Sequence, residues 1–266
     1  MIVDSTVQRV VLVTGASRGI GAEAAVQFGA AGAHVIVNFR EKRKRAQVVV
    51  DRIIDAGGSA STLGADVSDP EQVTEMAAEI RQAFGRLDTL VLNASGGLER
   101  DADPGYALRL NRDAQVNLAT SLLPLLPVGG RIVFVTSHQA HFIHEKTDVP
   151  QGYIPIATSK RAGEDALRAL IPEFRTHGVG FTVVSGDMID GTIIVRLLER
   201  RDPSSVESRR AAGPLPTVED FARVIVRAGT NAAADGETFY VGGNDYLAAA
   251  EASRWSLPPD FARHQH

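Results

Sequence analysis

Residues 14–21 read T-G-A-S-R-G-I-G and join an apolar run, R-V-V-L-V-T (9–14), to a helical pattern, A-E-A-A-V-Q-F-G-A-A-G. In such a turn Gly15 permits the tight bend, Gly19 lets backbone N–H groups approach a pyrophosphate, and Gly21 lets the helix pack close to the sheet. The N-terminus of the helix that follows favours the negative charge of a phosphate. Strand, turn and helix in this order favour nucleotide binding over a purely structural use of glycine.

Short apolar runs alternate with helical patterns along the rest of the chain. The further runs lie at 34–39, 59–65, 89–93, 131–137, 180–185 and 238–242. Their continuous β-branched character predicts strands that are covered on both faces. Asp69 before Pro70, and Thr217 before an amphipathic segment, are predicted helix N-caps. The sequence predicts one Rossmann-like domain (1–266), doubly wound, with a predominantly parallel seven-stranded sheet and helices on both faces.

Composition excludes several classes of protein. The 266 residues are 44% hydrophobic and 23% charged, with a net charge of −4, which gives no general attraction to nucleic acid or to an anionic membrane. The chain has no cysteine, so disulfides, iron–sulfur clusters and thiol catalysis are excluded. We find no leader pattern and no apolar run long enough to span a bilayer, and we expect a soluble, cytoplasmic protein.

These landmarks resemble the short-chain dehydrogenases/reductases over nearly the full length of the chain. The family pattern T-G-x-x-x-G-x-G matches Thr14 to Gly21, and A-D-V-S-D carries the acidic residue that follows the third strand. The family's N-N-A-G corresponds to L-N-A-S at 92–95, with serine in place of the glycine. The resemblance implies cofactor contacts from Gly15, Ser17, Arg18, Gly19, Ile20, Gly21, Asp66, Val67, Asn93, Ala94, Ser95, Lys160 and Thr192.

The same resemblance implies a catalytic set and a reaction. Asn117 in Q-V-N-L-A-T would hold a water relay, Ser137 would orient the substrate oxygen, and Lys160 would bind the cofactor ribose and lower the pKa of a proton donor. The implied activity is hydride transfer between a nicotinamide and a small carbonyl or alcohol substrate. Similar proteins are commonly dimers or tetramers, so we expect a homo-oligomer.

The choice of cofactor follows from charge at the end of the second strand. Enzymes that prefer NAD commonly place an acidic residue there, which binds the ribose 2′-OH. Here the chain reads N-F-R-E-K-R-K-R, with Phe39 in the place of the acid and Arg40 next. Arg40, together with Arg18 of the glycine turn, could bind a 2′-phosphate through charge-assisted contacts. The sequence therefore predicts NADP(H).

One family landmark is missing. The family places its proton-donating tyrosine four residues before the lysine, because residues i and i+4 share one face of a helix. Here that residue is Ile156. The nearest phenol is Tyr153, about 10 Å along the axis from Lys160 if the helix were continuous. Since Pro155 suits the start of a helix and pushes Ile154 toward an extended conformation, we expect Tyr153 to lie in the approach loop. From there it could fold back over the nicotinamide, and we predict that it donates the proton.

Other possibilities for the proton donor remain open. The segment from 137 to 153 contains His138, His141 and His144 at three-residue spacing, and one of the first two could replace the missing phenol. No second ligand cluster accompanies them, so a metal site is not predicted. If nothing replaces the phenol, the chain is a catalytically weak NADPH-binding sensor or a structural subunit. The charged, loop-like segment 193–216 is either a lid over the substrate cleft or a surface helix.

Overall fold

The sheet runs through the part of the chain described by a computed structural model, residues 8–97, 103, 105–145, 149, 151–211, 213–231 and 235–243. Its strands are Val10–Val13 (β1), His34–Phe39 (β2), Ser59–Gly64 (β3), Thr89–Leu92 (β4), Arg131–Ser137 (β5), Gly180–Gly186 (β6) and Glu237–Val241 (β7). The strand order is β3-β2-β1-β4-β5-β6-β7, and every neighbouring pair is parallel. This is the doubly wound topology that the sequence predicts.

Helices cover both faces of the sheet. They are Gly19–Ala30 (α1), Arg43–Asp55 (α2), Pro70–Phe84 (α3), Tyr106–Leu108 (α4), Ala114–Leu122 (α5), His138–His141 (α6), Ile154–Ala169 (α7), Ile171–Thr176 (α8), Ile193–Arg201 (α9), Pro203–Ala211 (α10) and Val218–Thr230 (α11). One core lies between the sheet and α3, α5 and α7, and a second lies between the sheet and α1, α2 and α11. Leu12 belongs to the first core and its neighbours Val11 and Val13 to the second, which is why the strand sequences are apolar throughout.

Two helix starts confirm the predicted caps. Asp69 accepts a hydrogen bond from the backbone N–H of Glu71 at 2.9 Å, and Pro70 is the first helical residue of α3. Thr217 and Asp220 form a reciprocal capping box at the start of α11. Among the described helices, none is both long enough and apolar enough to cross a bilayer.

The segment after β6 differs from its loop-like appearance in the sequence. It forms two helices, α9 and α10, joined at Asp202. Val195 and Val206, one on each helix, are almost completely buried and pack with Met188. Asp202 Oδ1 accepts from the N–H of Ser205 and thereby caps α10. Two apolar anchors and one cap are enough to order this segment despite its many charges.

Helix α7 approaches a π-helical turn, Arg109–Asp113, at very close range. A Cβ built on Gly163 would lie 2.0 Å from the backbone oxygen of Asn111. Only glycine permits this approach, because any side chain would force the two backbones apart. Gly163 therefore sets the position of α7 against the turn.

We expect Gly163→Ala to lower the free energy of unfolding by about 2 kcal/mol or more, because overpacking a rigid contact of this kind costs 1–3 kcal/mol. Helix propensity alone would give the opposite sign, since alanine is favoured over glycine by about 1 kcal/mol within a helix. Gly152→Ala is the control, because a Cβ at that position meets no atom within 4 Å. Urea denaturation of the two variants measures the difference, and a stabilised Gly163→Ala protein would contradict the close approach.

Candidate active site

A cavity of about 670 Å³ opens at the carboxyl edge of the sheet. It lies where the chain leaves β1 for one side of the sheet and β4 for the other, the switch point at which open α/β folds bind ligands. The glycine turn forms one wall, and the ends of β4, β5 and β6 form the floor. The start of α7 and residues of α9 close the remaining sides.

The glycine turn is held by hydrogen bonds from neighbouring strands. Asn38, a buried residue of β2, accepts from the N–H of Gly15 at 3.2 Å and donates to two carbonyls at the end of β3. The hydroxyl oxygen of Thr14 accepts from the N–H groups of Asn93 and Ala94, and the Asn93 amide donates to the Thr14 carbonyl at 2.9 Å. The turn is thus fixed before any ligand arrives, which lowers the entropic cost of binding.

Two glycines of the turn give it the shape of a phosphate cradle. A Cβ on Gly21 would lie 2.5 Å from the Asn93 amide nitrogen, so α1 packs against the end of β4 only without a side chain there. Gly19 has a φ of +57°, and a Cβ built on it meets no atom within 4 Å. The first turn of α1 therefore presents open backbone to the cavity, the arrangement that suits a pyrophosphate at a helix N-terminus.

All the cofactor positions predicted from the sequence line this one cavity. They are Gly15, Ser17, Arg18, Gly19, Ile20, Gly21, Arg40, Asp66, Val67, Asn93, Ala94, Ser95, Lys160 and Thr192. Asp66 accepts from the hydroxyl and the N–H of Ser68, which fixes its carboxylate at the rim. Thr192 caps α9, and its hydroxyl donates to the carbonyl of Ile189 at 2.8 Å.

Arg40 lies at the mouth of the cavity. Its guanidinium donates to the phenol oxygen of Tyr106 at 2.6 Å and pairs with Glu41 at 3.3 Å. Phe39, in the position where an acid would bind a ribose 2′-OH, packs its ring over Gly64 instead. This corner of the cavity therefore presents a cation and an aromatic ring where an acid would repel a 2′-phosphate.

Ser137 and Tyr153 meet inside the cavity. Ser137 ends β5, and its hydroxyl oxygen accepts weakly from the N–H of Ala140, which orients it. Tyr153 is buried, and its phenol oxygen lies 3.2 Å from Ser137 Oγ. The two hydroxyl groups form a pair that could hold one carbonyl oxygen between them.

The conformation of the residue that follows Tyr153 differs from the one predicted from the sequence. Tyr153 ends a 3₁₀ turn, Gln151–Tyr153, that runs directly into α7. The expectation that Ile154 is extended was wrong, because Ile154 is the first residue of the helix and Pro155 the second. Packing of Tyr153 and Ile156 with Ala140 and Ala157 outweighs the local restriction that proline imposes on the residue before it.

Lys160 and Ile156 occupy successive turns of α7 on the cavity wall. Both side chains are buried, and both line the cavity. Burial lowers the pKa of Lys160 to about 8, and the charge of Glu164 opposes that effect. Burial raises the pKa of Tyr153, and its hydrogen bond with Ser137 opposes the rise. At neutral pH the cavity is therefore lined by a protonated phenol and by a largely protonated lysine.

The structure does not bring Asn117 to the cavity. Its amide oxygen accepts from Ser121 one turn further along α5. Asn111, in the π-helical turn, is the asparagine beside α7: its amide donates to Ser159 at 2.9 Å and to the carbonyl of Gly96 at 3.0 Å. We correct the assignment accordingly. The two asparagines are six residues apart in one helical stretch, and the earlier one belongs to the π-turn that packs against α7.

The histidines of the 137–153 segment point away from the cavity. His138 is fully buried, with one ring nitrogen 2.8 Å from the Ser185 hydroxyl and the other 3.0 Å from the Gly242 carbonyl. Burial lowers its pKa, so the ring is neutral. His141 contacts Glu164 and Tyr240, and His144 is exposed. Within the described residues no three acidic or imidazole side chains converge in a way that could hold a metal ion.

Three residues near the site were not singled out from the sequence. Asn38 and Asn111 are described above. Gln139 is buried and lines the cavity two residues after Ser137. Asn38 had a usable signal, because a lone amide within the apolar run H-V-I-V-N-F must find partners inside the protein.

Comparison with known proteins agrees with this geometry. Residues 9–202 match the family model described as short chain dehydrogenase. The chain therefore belongs to the short chain dehydrogenase family.

Individual proteins and solved structures are also similar to this chain. Versicolorin reductase stcU of Emericella nidulans is 40% identical over 138 residues, which are 50% of this chain and 52% of that protein. The chain thus spans about half the length of the curated relatives it matches most strongly. A short chain dehydrogenase from Burkholderia cenocepacia J2315 in complex with NADP is 28% identical with a TM-score of 0.74, covering 89% of this chain and 96% of the other. The angucycline C-6 ketoreductase LanV with bound NADP is 25% identical with a TM-score of 0.75, covering 88% and 95%.

Proposed function

We propose that this protein is an NADP(H)-dependent oxidoreductase that interconverts a carbonyl and an alcohol, with Tyr153 as its proton donor. The observation that carries the proposal is the pair of hydroxyl groups of Ser137 and Tyr153, 3.2 Å apart in the cavity that Lys160 also lines. The names of the relatives, which are reductases, and the NADP bound in two solved neighbours support it.

The residues of the cavity fit a dinucleotide. The glycine turn offers open backbone N–H groups to a pyrophosphate, Asp66 and Val67 would contact an adenine, and Arg40 would bind a 2′-phosphate. Lys160 lies further in, where its ammonium group would bind ribose hydroxyls. When bound, NADPH would supply the hydride.

The chain's own residues would then bind the substrate's carbonyl oxygen and transfer a proton to it. Ser137 would donate a hydrogen bond to the substrate carbonyl, and Tyr153 would give its phenolic proton to the same oxygen as the alcohol forms. Lys160 lines the same cavity, and its positive charge would lower the cost of the phenolate that remains. Asn111, rather than Asn117, lies beside this helix, and its amide ties the carbonyl of Gly96 to the hydroxyl of Ser159, the residue before Lys160.

The substrate end of the cavity indicates a bulky, largely apolar carbonyl compound. Ile156 and Met188 face it from the body of the fold, and Ile193 and Leu197 line it from α9. Ile156, in place of the usual phenol, adds to this apolar wall. In such a site the apolar wall would bind the substrate by burying its surface, and the pair of hydroxyl groups would orient it through hydrogen bonds.

A second function has one observation in its favour. Ile156 is buried one turn before Lys160 and cannot donate a proton, which favours a catalytically weak protein that binds NADPH as a sensor or as a structural subunit. Fluorescence titration with NADPH, followed by NADPH oxidation assays with aromatic ketones, aldehydes and quinones, separates the two. The first proposal expects both binding and turnover, and binding without turnover on any carbonyl would favour the second.

We expect Arg40→Leu to raise the Kd for NADPH about 10- to 100-fold, because it removes a charge-assisted contact to the 2′-phosphate. The Kd for NADH, which has no such phosphate, is expected to change less than about threefold. Arg43→Leu is the matched control, since Arg43 starts α2 but does not line the cavity. Equal weakening of both cofactors would contradict the assignment of Arg40.

A further inference from the structure

A polar cluster around one buried carboxylate lies a helical turn beyond Lys160, outside the lining of the cavity. Its centre is Glu164, whose side chain is completely buried. One carboxylate oxygen accepts from Nε of Arg168 at 2.9 Å, and the other lies 2.9 Å from Nδ1 of His141. The opposite nitrogen of His141 lies 3.1 Å from the phenol oxygen of Tyr240 on β7. We call these four residues the Glu164 cluster.

Glu164 follows Lys160 by one turn of α7. Residues at this spacing share a helix face, with Cβ atoms about 5–6 Å apart. Both side chains are shielded from water, so their charges interact more strongly than an exposed pair would. Burial raises the pKa of Glu164, but hydrogen bonds and charges from His141 and Arg168 outweigh it and lower the pKa overall. Glu164 is therefore an anion at neutral pH.

The cluster also ties two catalytic elements together. His141 ends α6, the short helix that begins directly after Ser137. Besides its contact with Glu164, its carbonyl accepts from Nη1 of Arg161 on α7 at 2.7 Å. Two contacts thus fasten the turn that carries Ser137 to the helix that carries Lys160, so a shift of α6 would move the serine relative to the lysine.

We propose that Glu164 is a positioning residue that keeps Lys160 protonated and, through His141, holds the Ser137 turn against α7. This inference deepens the proposed function and rests on it for its catalytic consequence. Its electrostatic part concerns Lys160 itself and can be measured in the absence of turnover.

Other ionisable groups near α7 do not replace Glu164. The elements packed against the helix carry Tyr106, Arg109, Arg112, Asp113, Arg131, His138, His141, Tyr153, Glu173 and Arg175. Arg131, at the start of β5, donates to the hydroxyl of Thr182. Arg112 pairs with Asp113, and Arg109 pairs with Asp103. His138 is held neutral by burial, and Tyr153 is protonated. Among the described residues, Glu164 supplies the charge that acts on Lys160.

The first test compares Glu164→Gln with Asp165→Asn in the full chain. Asp165 is the matched control, because it pairs with Arg161 at i,i+4 on the solvent side of the same helix. Reactivity of Lys160 toward acetic anhydride is followed across pH 6 to 10.5 by mass spectrometry. We expect the midpoint to fall by about half a pH unit or more in Glu164→Gln and to stay unchanged in Asp165→Asn. Coincident curves for wild type and Glu164→Gln would overturn the proposal.

The second test uses turnover and a conservative variant. In carbonyl reduction, the alkaline limb of the kcat profile is expected to move to lower pH in Glu164→Gln by the same amount as the labelling midpoint, and Glu164→Asp is expected to restore part of the shift. An unchanged limb in a variant with shifted labelling would overturn the catalytic part. If no carbonyl is reduced even by the wild type, the proposed function fails while the labelling result still decides the electrostatic part.

His141→Asn covers the case in which Glu164→Gln does not fold. It removes the contact between the His141 ring and Glu164, one of the two contacts between α6 and α7, while Glu164 keeps its bond with Arg168. We expect kcat to fall about tenfold while the Kd for NADPH stays within about twofold, because the serine turn loosens and the cofactor cradle is untouched. An unchanged kcat, or equal losses in kcat and in NADPH affinity, would overturn the positioning role.

Discussion

Replacing Tyr153 with phenylalanine is expected to lower kcat for carbonyl reduction about 100- to 1,000-fold, because a positioned general acid contributes 10²- to 10⁴-fold. The expected loss follows from geometry: the phenol oxygen lies 3.2 Å from Ser137 Oγ inside the cavity. The Kd for NADPH is expected to stay within about twofold, since the glycine turn and Arg40 are unchanged. Stopped-flow NADPH oxidation and fluorescence titration measure the two quantities.

Tyr240→Phe is the matched control for this substitution. Tyr240 lies on β7 at the outer edge of the Glu164 cluster and does not line the cavity, and its loss leaves the contact between His141 and Glu164 in place, so we expect Tyr240→Phe to change kcat less than about threefold. A Tyr153→Phe protein that keeps full activity would show that another group, or water, supplies the proton. Comparison of the two variants thus distinguishes the effect of removing the Tyr153 hydroxyl inside the cavity from the effect of removing the Tyr240 hydroxyl outside it.

Replacing Lys160 with methionine is expected to act in opposite directions on activity and on stability. Activity is expected to fall about 100-fold or more, because a preorganised charge at the reacting oxygen is removed. The free energy of unfolding at pH 7 is expected to rise by about 2–3 kcal/mol, because burial lowers the pKa of Lys160 from 10.5 to about 8. A similar conflict between stability and activity is common at active sites.

The dependence of this stability gain on pH has a definite sign. Below pH 8 the lysine is protonated in both the folded and the unfolded chain, so the folded protein bears the full cost of the buried charge. Between pH 8 and 10.5 the unfolded chain binds more protons, so wild-type stability rises with pH. The advantage of Lys160→Met is therefore expected to shrink over that window.

Urea unfolding at pH 7 and at pH 10 measures the effect. Lys44→Met is the control, because Lys44 is exposed on α2 and its removal is expected to change stability by less than about 0.5 kcal/mol. A Lys160→Met protein that is less stable than wild type at pH 7 would show that the favourable interactions of the ammonium group outweigh the cost of burying it.

The sheet could be read from the sequence because both of its faces are buried. Runs such as R-I-V-F-V-T-S at 131–137 have no polar alternation, and only a strand covered on two sides needs that pattern. The glycine turn was equally readable, since each glycine meets a local steric demand that no other residue satisfies. Features of this kind can be predicted from the local sequence alone, without knowledge of the tertiary fold.

The parts that were misread depend on contacts between distant segments. Asn111 rather than Asn117 lies against α7, because it belongs to the π-turn that packs closely on Gly163. Ile154 is helical because the packing of Tyr153 and its neighbours outweighs the effect of Pro155. Neither the register shift nor this packing leaves a periodic pattern in the sequence.

Transfer of deuterium from NADPH to a carbonyl carbon tests the central proposal most directly. The protein is mixed with NADPH labelled with deuterium at C4 in one or the other stereochemical position, together with an aromatic ketone, and the product is analysed by mass spectrometry. Our account predicts an alcohol that carries one deuterium on its carbinol carbon from one of the two labelled cofactors. A protein that binds NADPH but leaves the label in the cofactor, with no alcohol from any carbonyl offered, would contradict it.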